Sequence, residues 1–390
     1  MIITFFLFLA TLVGNYYKFS PFALDIHISF LDIVVVFITI LNFKKIRFPV
    51  FVIVALISLF TSFHYGFHAI SVGFLYLCRW LIYINLFYTL PKNPRLFGWL
   101  SLAMLVTAIS QYVVFPDIRS LQVAEWDPHY FRVVGTLLDP GFMGLLLVFM
   151  LIYAFFHKQT QKLLVFFTYF AFAFTYSRAS YLALIATFVY LSFVRKSWKP
   201  FVITLLVMIM TIVLLPRSSN GEGVKLERTS SIQARITNWR NSFEIFASSP
   251  IIGTGFNTYR YTQKQFGFLD DSKWLKSHAG AGADSSLLFV LATTGIVGLI
   301  IYLRFYQSLW LKSSPPIRAC LVALFVHSFF LNSQFYPFVL LWLAALSMAD
   351  MSQSSLVWPG SRLYLWTKIS SRSLQNSVDS WLRRFRQRSR

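Results

Sequence analysis

Arginines recur in this sequence in settings that could hold an anion. Arg132 stands in FRVVGTLLDPGFMG, seven residues before Asp139, and Arg178 stands in FTYSRASYLAL. Arg235 and Arg240 stand in SSIQARITNWRNSFEIFASSP. His278 and Asp284 follow in HAGAGADSSLLFVLATTGIVGL. A guanidinium is planar, permanently charged, and grips a phosphate through two parallel N–H donors. A carboxylate or imidazole beside such a cluster can take the proton of an attacking hydroxyl. Between these groups, SPIIGTGFNTY supplies Gly253 and Gly255, which permit close backbone approach or positive φ. Each residue also has a plainer reading: the arginines as head-group or loop ion pairs, Asp284 as a helix N-cap, His278 as incidental.

What must position these residues is set by composition. Of 390 residues, 57% are apolar and 13% charged, with a mean hydropathy of +0.62. Soluble domains carry about 25% charged residues, so a soluble globular enzyme, a disordered chain and a coiled coil are excluded. The expected fold class is all-α: a polytopic integral membrane protein. Apolar runs near 2–17, 22–43, 48–63, 68–90, 97–115, 139–156, 162–177, 179–194, 200–215, 284–303, 317–331 and 335–351 give about twelve transmembrane helices. The first has no basic segment before it and no small-residue cleavage site, and reads as a retained span.

The net charge of +21 would suggest nucleic acid in a soluble chain. Here it follows the spans instead, and no nucleic-acid partner is expected. With the N-terminus in the cytoplasm, Lys44, Lys45 and Arg47, then Lys92 and Arg95, then Arg195, Lys196 and Lys199 fall in inner connections, as the positive-inside rule requires. Both termini are then cytoplasmic. Five segments result: N-terminal spans 1–131, central spans with outer arginine motifs 132–215, a large outer loop 216–283, C-terminal spans 284–351, and a basic cytoplasmic tail 352–390. The arginines near the candidate site face outward, against the charge trend, and an anionic ligand would account for that.

Within the outer loop, Ile232, Ile236, Trp239, Phe243 and Phe246 recur at helical spacing. Ser230 or Ser231 can cap the start of that helix, and Pro250 follows its end. It is expected to lie along the outer membrane surface, with Arg235 and Arg240 toward polar head groups. Asp32 and Arg79 lie at comparable depth in the second and fourth runs, which makes an intramembrane ion pair a candidate; its main reading is helix-packing glue. Cys78 and Cys320 sit in apolar runs and read as small buried residues rather than a disulfide or metal site.

The order of these motifs is similar to that of the O-antigen polymerase/O-antigen ligase superfamily of bacterial membrane glycosyltransferases. The matching features are an outer Arg with GT…P, SR in a short turn, Arg and Trp on a loop helix, SPIIGTG, and an acidic residue or His before a Gly-rich span start. They cover roughly 130–300. The resemblance implies a bacterial plasma-membrane enzyme with its active site on the outer face. It would transfer a polyprenyl-pyrophosphate-linked glycan to a sugar hydroxyl with no cofactor and no catalytic metal. The chain departs from the ligase pattern at one position: eleven residues before Gly295, where that pattern has His, stands Asp284. That favours a polymerase of surface-polysaccharide repeat units.

On this reading Arg132, Arg178 and Arg235 bind the donor pyrophosphate, and Asp284 is the general base with His278 in reserve. The loop closes over the acceptor, and the single displacement inverts the anomeric centre. The expected partners are the lipid-linked donor, the glycan acceptor and membrane lipid, with a chain-length regulator or flippase as further candidates. The rivals are a ligase that caps lipid A core, a transporter or lipid-linked oligosaccharide flippase, and a non-catalytic envelope scaffold.

Overall fold

Lipid cannot satisfy a free backbone N–H or C=O, so long apolar runs fold as helices. The computed structural model shows a helix at each such run. It describes residues 2–19, 27–91, 93–119, 129–157, 161–217, 222–269, 274 and 282–351. The first half holds α1 (Ile2–Val13), α2 (Phe30–Leu41), α3 (Val50–Thr61), α4 (Phe67–Ile84), the single turn α5 (Leu86–Thr89) and α6 (Leu96–Val114). The centre holds α7 (Pro140–Phe156), α8 (Lys162–Ala173), α9 (Arg178–Arg195) and α10 (Lys199–Leu214). The loop supplies α11 (Ser230–Ser248) and the short α12 (Tyr259–Gln265). The chain continues with α13 (Ser286–Lys312), α14 (Pro315–His327) and α15 (Pro337–Met351). Phe67–Thr89, Leu96–Val114 and Ser286–Lys312 are long and apolar enough to cross a membrane; most of the others are shorter apolar helices.

Several helices stop short of their apolar runs, for local reasons. Helix α1 ends at Gly14, whose φ is +56°; a Cβ there would lie 2.3 Å from the Thr136 carbonyl oxygen, and Asn15 N–H donates to that same carbonyl. Helix α2 starts only at Phe30, where Ser29 and Asp32 form a reciprocal capping box. Helix α7 is buried on every side from Met143 to Ile152 and packs against α8, α9 and α14, which makes it a central post. By contrast α10 exposes Ile203, Leu206, Ile209, Met210 and Val213, the character of a lipid-facing helix. The basic tail 352–390 lies outside the described residues.

Candidate active site

The site is built where the outer loop docks into a break in α13. Gly295 inside that helix has φ +67° and ψ −172°, so the helical ladder is interrupted there. The segment after α11 fills the gap. Thr254 N–H donates to Ala292 O at 3.2 Å and Gly255 N–H to Thr293 O at 3.0 Å, while Ile296 N–H donates to Pro250 O at 2.9 Å. Gly253 (φ +81°) and Gly255 (φ +118°) make this contact possible. A Cβ on Gly253 would sit 2.4 Å from Thr293 backbone carbon, and one on Gly255 2.6 Å from Ser62 Cβ.

This stitch carries α11 onto the start of α13. Its N-cap is Thr229, with no side-chain capping bond, rather than Ser230 or Ser231. The helix also turns otherwise than its apolar stripe suggests. Ile232, Ile236 and Phe243 are exposed, while Ser242 and Ile245 are buried. The inward face therefore mixes Arg235, Asn238, Ser242 and Ile245. Ser242 Oγ and Tyr259 Oη are hydrogen-bonded at 2.6 Å. Asn238 Oδ1 accepts from the Asp284 N–H at 2.9 Å, which ties the helix to the residue just ahead of α13. Asp284 does not cap α13; Ser285 does, with its hydroxyl facing Leu288 N–H.

The arginines fall into two kinds. Arg132 is buried, and its Nε donates to Thr175 O at 2.9 Å and its Nη2 to Tyr176 O at 3.3 Å. It clamps the turn that leads into α9. Arg178, the first residue of α9, donates through Nη1 to Arg228 O at 2.9 Å and Leu226 O at 3.2 Å, and through Nη2 to Ser231 Oγ. It clamps the start of α11. Arg235 is different. Its guanidinium lies 5.7 Å from the centre of the Phe330 ring and makes no hydrogen bond among the described residues. Burial pushes its pKa down, and the charges of Asp284 and Asp139 push it back up. Arg178 and Arg235 are close enough to repel one another.

Arg235 therefore faces inward, contrary to the expectation that it meets head groups. Arg240 does face outward, exposed and bonded to Glu244 at 3.0 Å. Asp139 caps α7, its Oδ1 accepting from Gly141 and Phe142 N–H at 2.7 and 2.9 Å. Asn238 is a neighbour of the site that carried no functional signal as a residue in a sequence. His278 lies outside the described residues. Among the described residues no three His, Cys, Asp or Glu side chains converge as a metal site would need.

A separate ionic cluster joins α2 and α4. Arg79 Nε and Nη2 each lie 2.8 Å from an Asp32 oxygen, a bidentate pair, and Tyr83 Oη donates to Asp32 at 2.9 Å. Asp32 belongs to the first turn of α2, where it also accepts from Ser29 N–H.

Arg178, α11 with Arg235, the glycine stitch, and Asp284 with the first half of α13 all fall within residues 163–303, which match a family model described as O-antigen ligase. This segment is similar to the O-antigen ligase family over that stretch, a little over a third of the chain. The match supports a likeness to the O-antigen polymerase/ligase superfamily, whose members are membrane glycosyltransferase-like enzymes. A comparison with curated proteins gives no match. The arrangement brings together a cation without a hydrogen bond among the described residues, a second cation near it, and a carboxylate-bearing residue fixed by its backbone to the same helix.

Proposed function

We propose that the protein transfers a polyprenyl-pyrophosphate-linked glycan to a sugar hydroxyl at the outer face of the plasma membrane, extending a surface polysaccharide. The observation that carries this reading is Arg235, a half-buried guanidinium that makes no hydrogen bond among the described residues and lies within electrostatic reach of Arg178, Asp284 and Asp139. A half-buried guanidinium keeps N–H donors for an arriving anion, and a donor pyrophosphate would engage them with two or more charge-assisted bonds. In this reading twelve helices cross the membrane and both termini are cytoplasmic.

The step needs no bound group beyond donor and acceptor. The acceptor hydroxyl gives its proton to the Asp284 carboxylate as its oxygen bonds to the anomeric carbon. The bond from that carbon to the pyrophosphate oxygen breaks, and its electron pair leaves on the pyrophosphate. Arg235, with Arg178 beside it, stabilises the charge that grows there. Arg132 contributes through position, because its guanidinium holds the turn that sets Arg178. A single displacement inverts the anomeric centre. His278 is the alternative base.

The test is turnover by the purified full-length protein supplied with an undecaprenyl-pyrophosphate-linked oligosaccharide. A ladder of lengths on the lipid carrier supports the polymerase. The family description favours a ligase as second reading; transfer only after lipid A core is added would establish it. No transfer to either acceptor, or a retained anomeric configuration, would overturn the mechanism.

A further inference from the structure

A cavity of about 300 Å³ lies apart from the arginine cluster, between the α1–α2 connection, α4, the turn after Gly255 and the approach to α15. Its volume is at the lower end for small-molecule sites, enough for a sugar unit. Three basic side chains, Lys18, Arg79 and Arg260, stand in its wall, and no described carboxylate does. Asp32 lies behind the wall, bound to Arg79. The wall also presents the amides of Asn15, Asn257 and Asn332. Aromatic rings, among them Tyr76, Trp80, Phe256 and Phe335, complete it.

This lining reads as a recognition surface for a charged sugar. Amides both donate and accept, as hydroxyl groups do. Aromatic faces carry partial negative charge and pack against the C–H faces of a pyranose. A pyrophosphate would use the cations but gain little from rings. Trp80 Nε1 and Asn332 Oδ1 are buried with no hydrogen-bond partner among the described residues. Such atoms call for an explanation, and a polyhydroxylated ligand can supply partners after a side-chain rotation. Partial desolvation, then the Arg79 charge, lower the Lys18 ammonium to about 8; a carboxylate in the cavity would relieve that.

Two residues of the cavity wall adjoin segments of the reaction site. Asn332 Nδ2 lies 3.6 Å from the point that a Cβ on Gly282 would occupy, two residues before Asp284. Phe142, which lines the cavity, donates its N–H to Asp139.

We propose that this cavity is the acceptor subsite and that it selects a sugar bearing a carboxylate, a hexuronic acid in chemical class. The assignment rests on the transferase reading above. Arg260 and Lys18 meet the carboxylate, Asn257 and Asn332 read hydroxyls, and the rings stack on the sugar. The acceptor hydroxyl then lies toward Asp284.

The experiment is calorimetric titration of the full-length protein with trigalacturonate and with its neutral methyl ester, beside a separate titration with undecaprenyl pyrophosphate. The acid should bind about tenfold or more tighter than the ester. Arg260→Gln and Lys18→Gln should each weaken the acid about tenfold, Arg260→Lys should restore most of it, and undecaprenyl pyrophosphate binding should be unchanged in all three. Equal affinity for acid and ester would overturn the proposal. So would acid binding indifferent to Arg260 and Lys18, or loss of undecaprenyl pyrophosphate binding in Arg260→Gln, which would make the cavity a donor site. If undecaprenyl pyrophosphate binds and the acid does not, the acceptor subsite fails alone. If undecaprenyl pyrophosphate does not bind the wild type, the transferase reading fails, whatever the acid does.

Discussion

Arg132 and Arg235 are two arginines that answer opposite needs. Arg132 gives its guanidinium to two backbone carbonyls. Arg235 makes no hydrogen bond among the described residues and feels the charges of Asp284 and Asp139. A buried cation with its donors filled is a structural tie. One with its donors open is prepared for an anion that comes and goes. The difference separates arginines by role where sequence context alone treats them alike, and Arg178 stands between the two, clamping α11 while charging the space beside Arg235.

The comparison breaks most visibly in turnover. Arg235→Gln and Asp284→Asn are each expected to lower the transfer rate by about 10²–10⁴ with little change in thermal stability. An Asp284→Asn enzyme at wild-type rate would remove that residue from the chemistry. Arg132→Met should do the reverse. It leaves two buried carbonyls without a charged donor, at a cost of about 3 kcal/mol, read as a lower unfolding temperature in detergent, while the surviving folded protein keeps much of its rate.

Acid should sharpen the contrast, because it acts on the clamp side. His129 is buried beside Arg132 and Arg228, and burial, then those charges, lower its pKa to about 3. An unfolded histidine titrates near 6.5. Between these values the unfolded chain binds the extra proton, so stability falls as pH drops below about 6.5, by about 2–3 kcal/mol at pH 4.5. Unfolding measured against pH should show this slope, and His129→Gln should flatten it. The smallest effect belongs to Arg240, exposed and paired only with Glu244. Arg240→Ala should change stability by less than about 0.5 kcal/mol and leave the rate unaltered; a large loss of rate would show that outward arginines also serve the donor.

The helices were legible because a lipid-facing backbone has no other way to satisfy itself, and each apolar run holds one. Their ends were less so. The end of α1 is decided by Thr136, over a hundred residues away, packing against Gly14. The period of α11 was readable, yet not which face turns inward. The apolar residues Ile232, Ile236 and Phe243 stay outside, and a mixed face with Arg235 and Asn238 docks on the bundle. An amphipathic pattern fixes two faces but not which of them meets protein when lipid is the other choice. Asn238 gave no sign of itself, since its bond to Asp284 N–H exists only through docking. Gly253 and Gly255 were readable as sites of close approach, but their counterpart at Gly295 becomes meaningful only in three dimensions.

The break at Gly295 bears on how the protein is made. The partners of Pro250 O and of Thr254 and Gly255 N–H belong to a helix synthesised some forty residues later. On the proposed topology the outer segment is translocated and waits, its docking residues unpaired, until α13 enters the bilayer. An isolated segment spanning α11 and α12 should not be obtained as a stable soluble piece, because these backbone partners lie on α13. Residence time at the translocation machinery, rather than the affinity of a finished domain, then sets when this part of the molecule assembles.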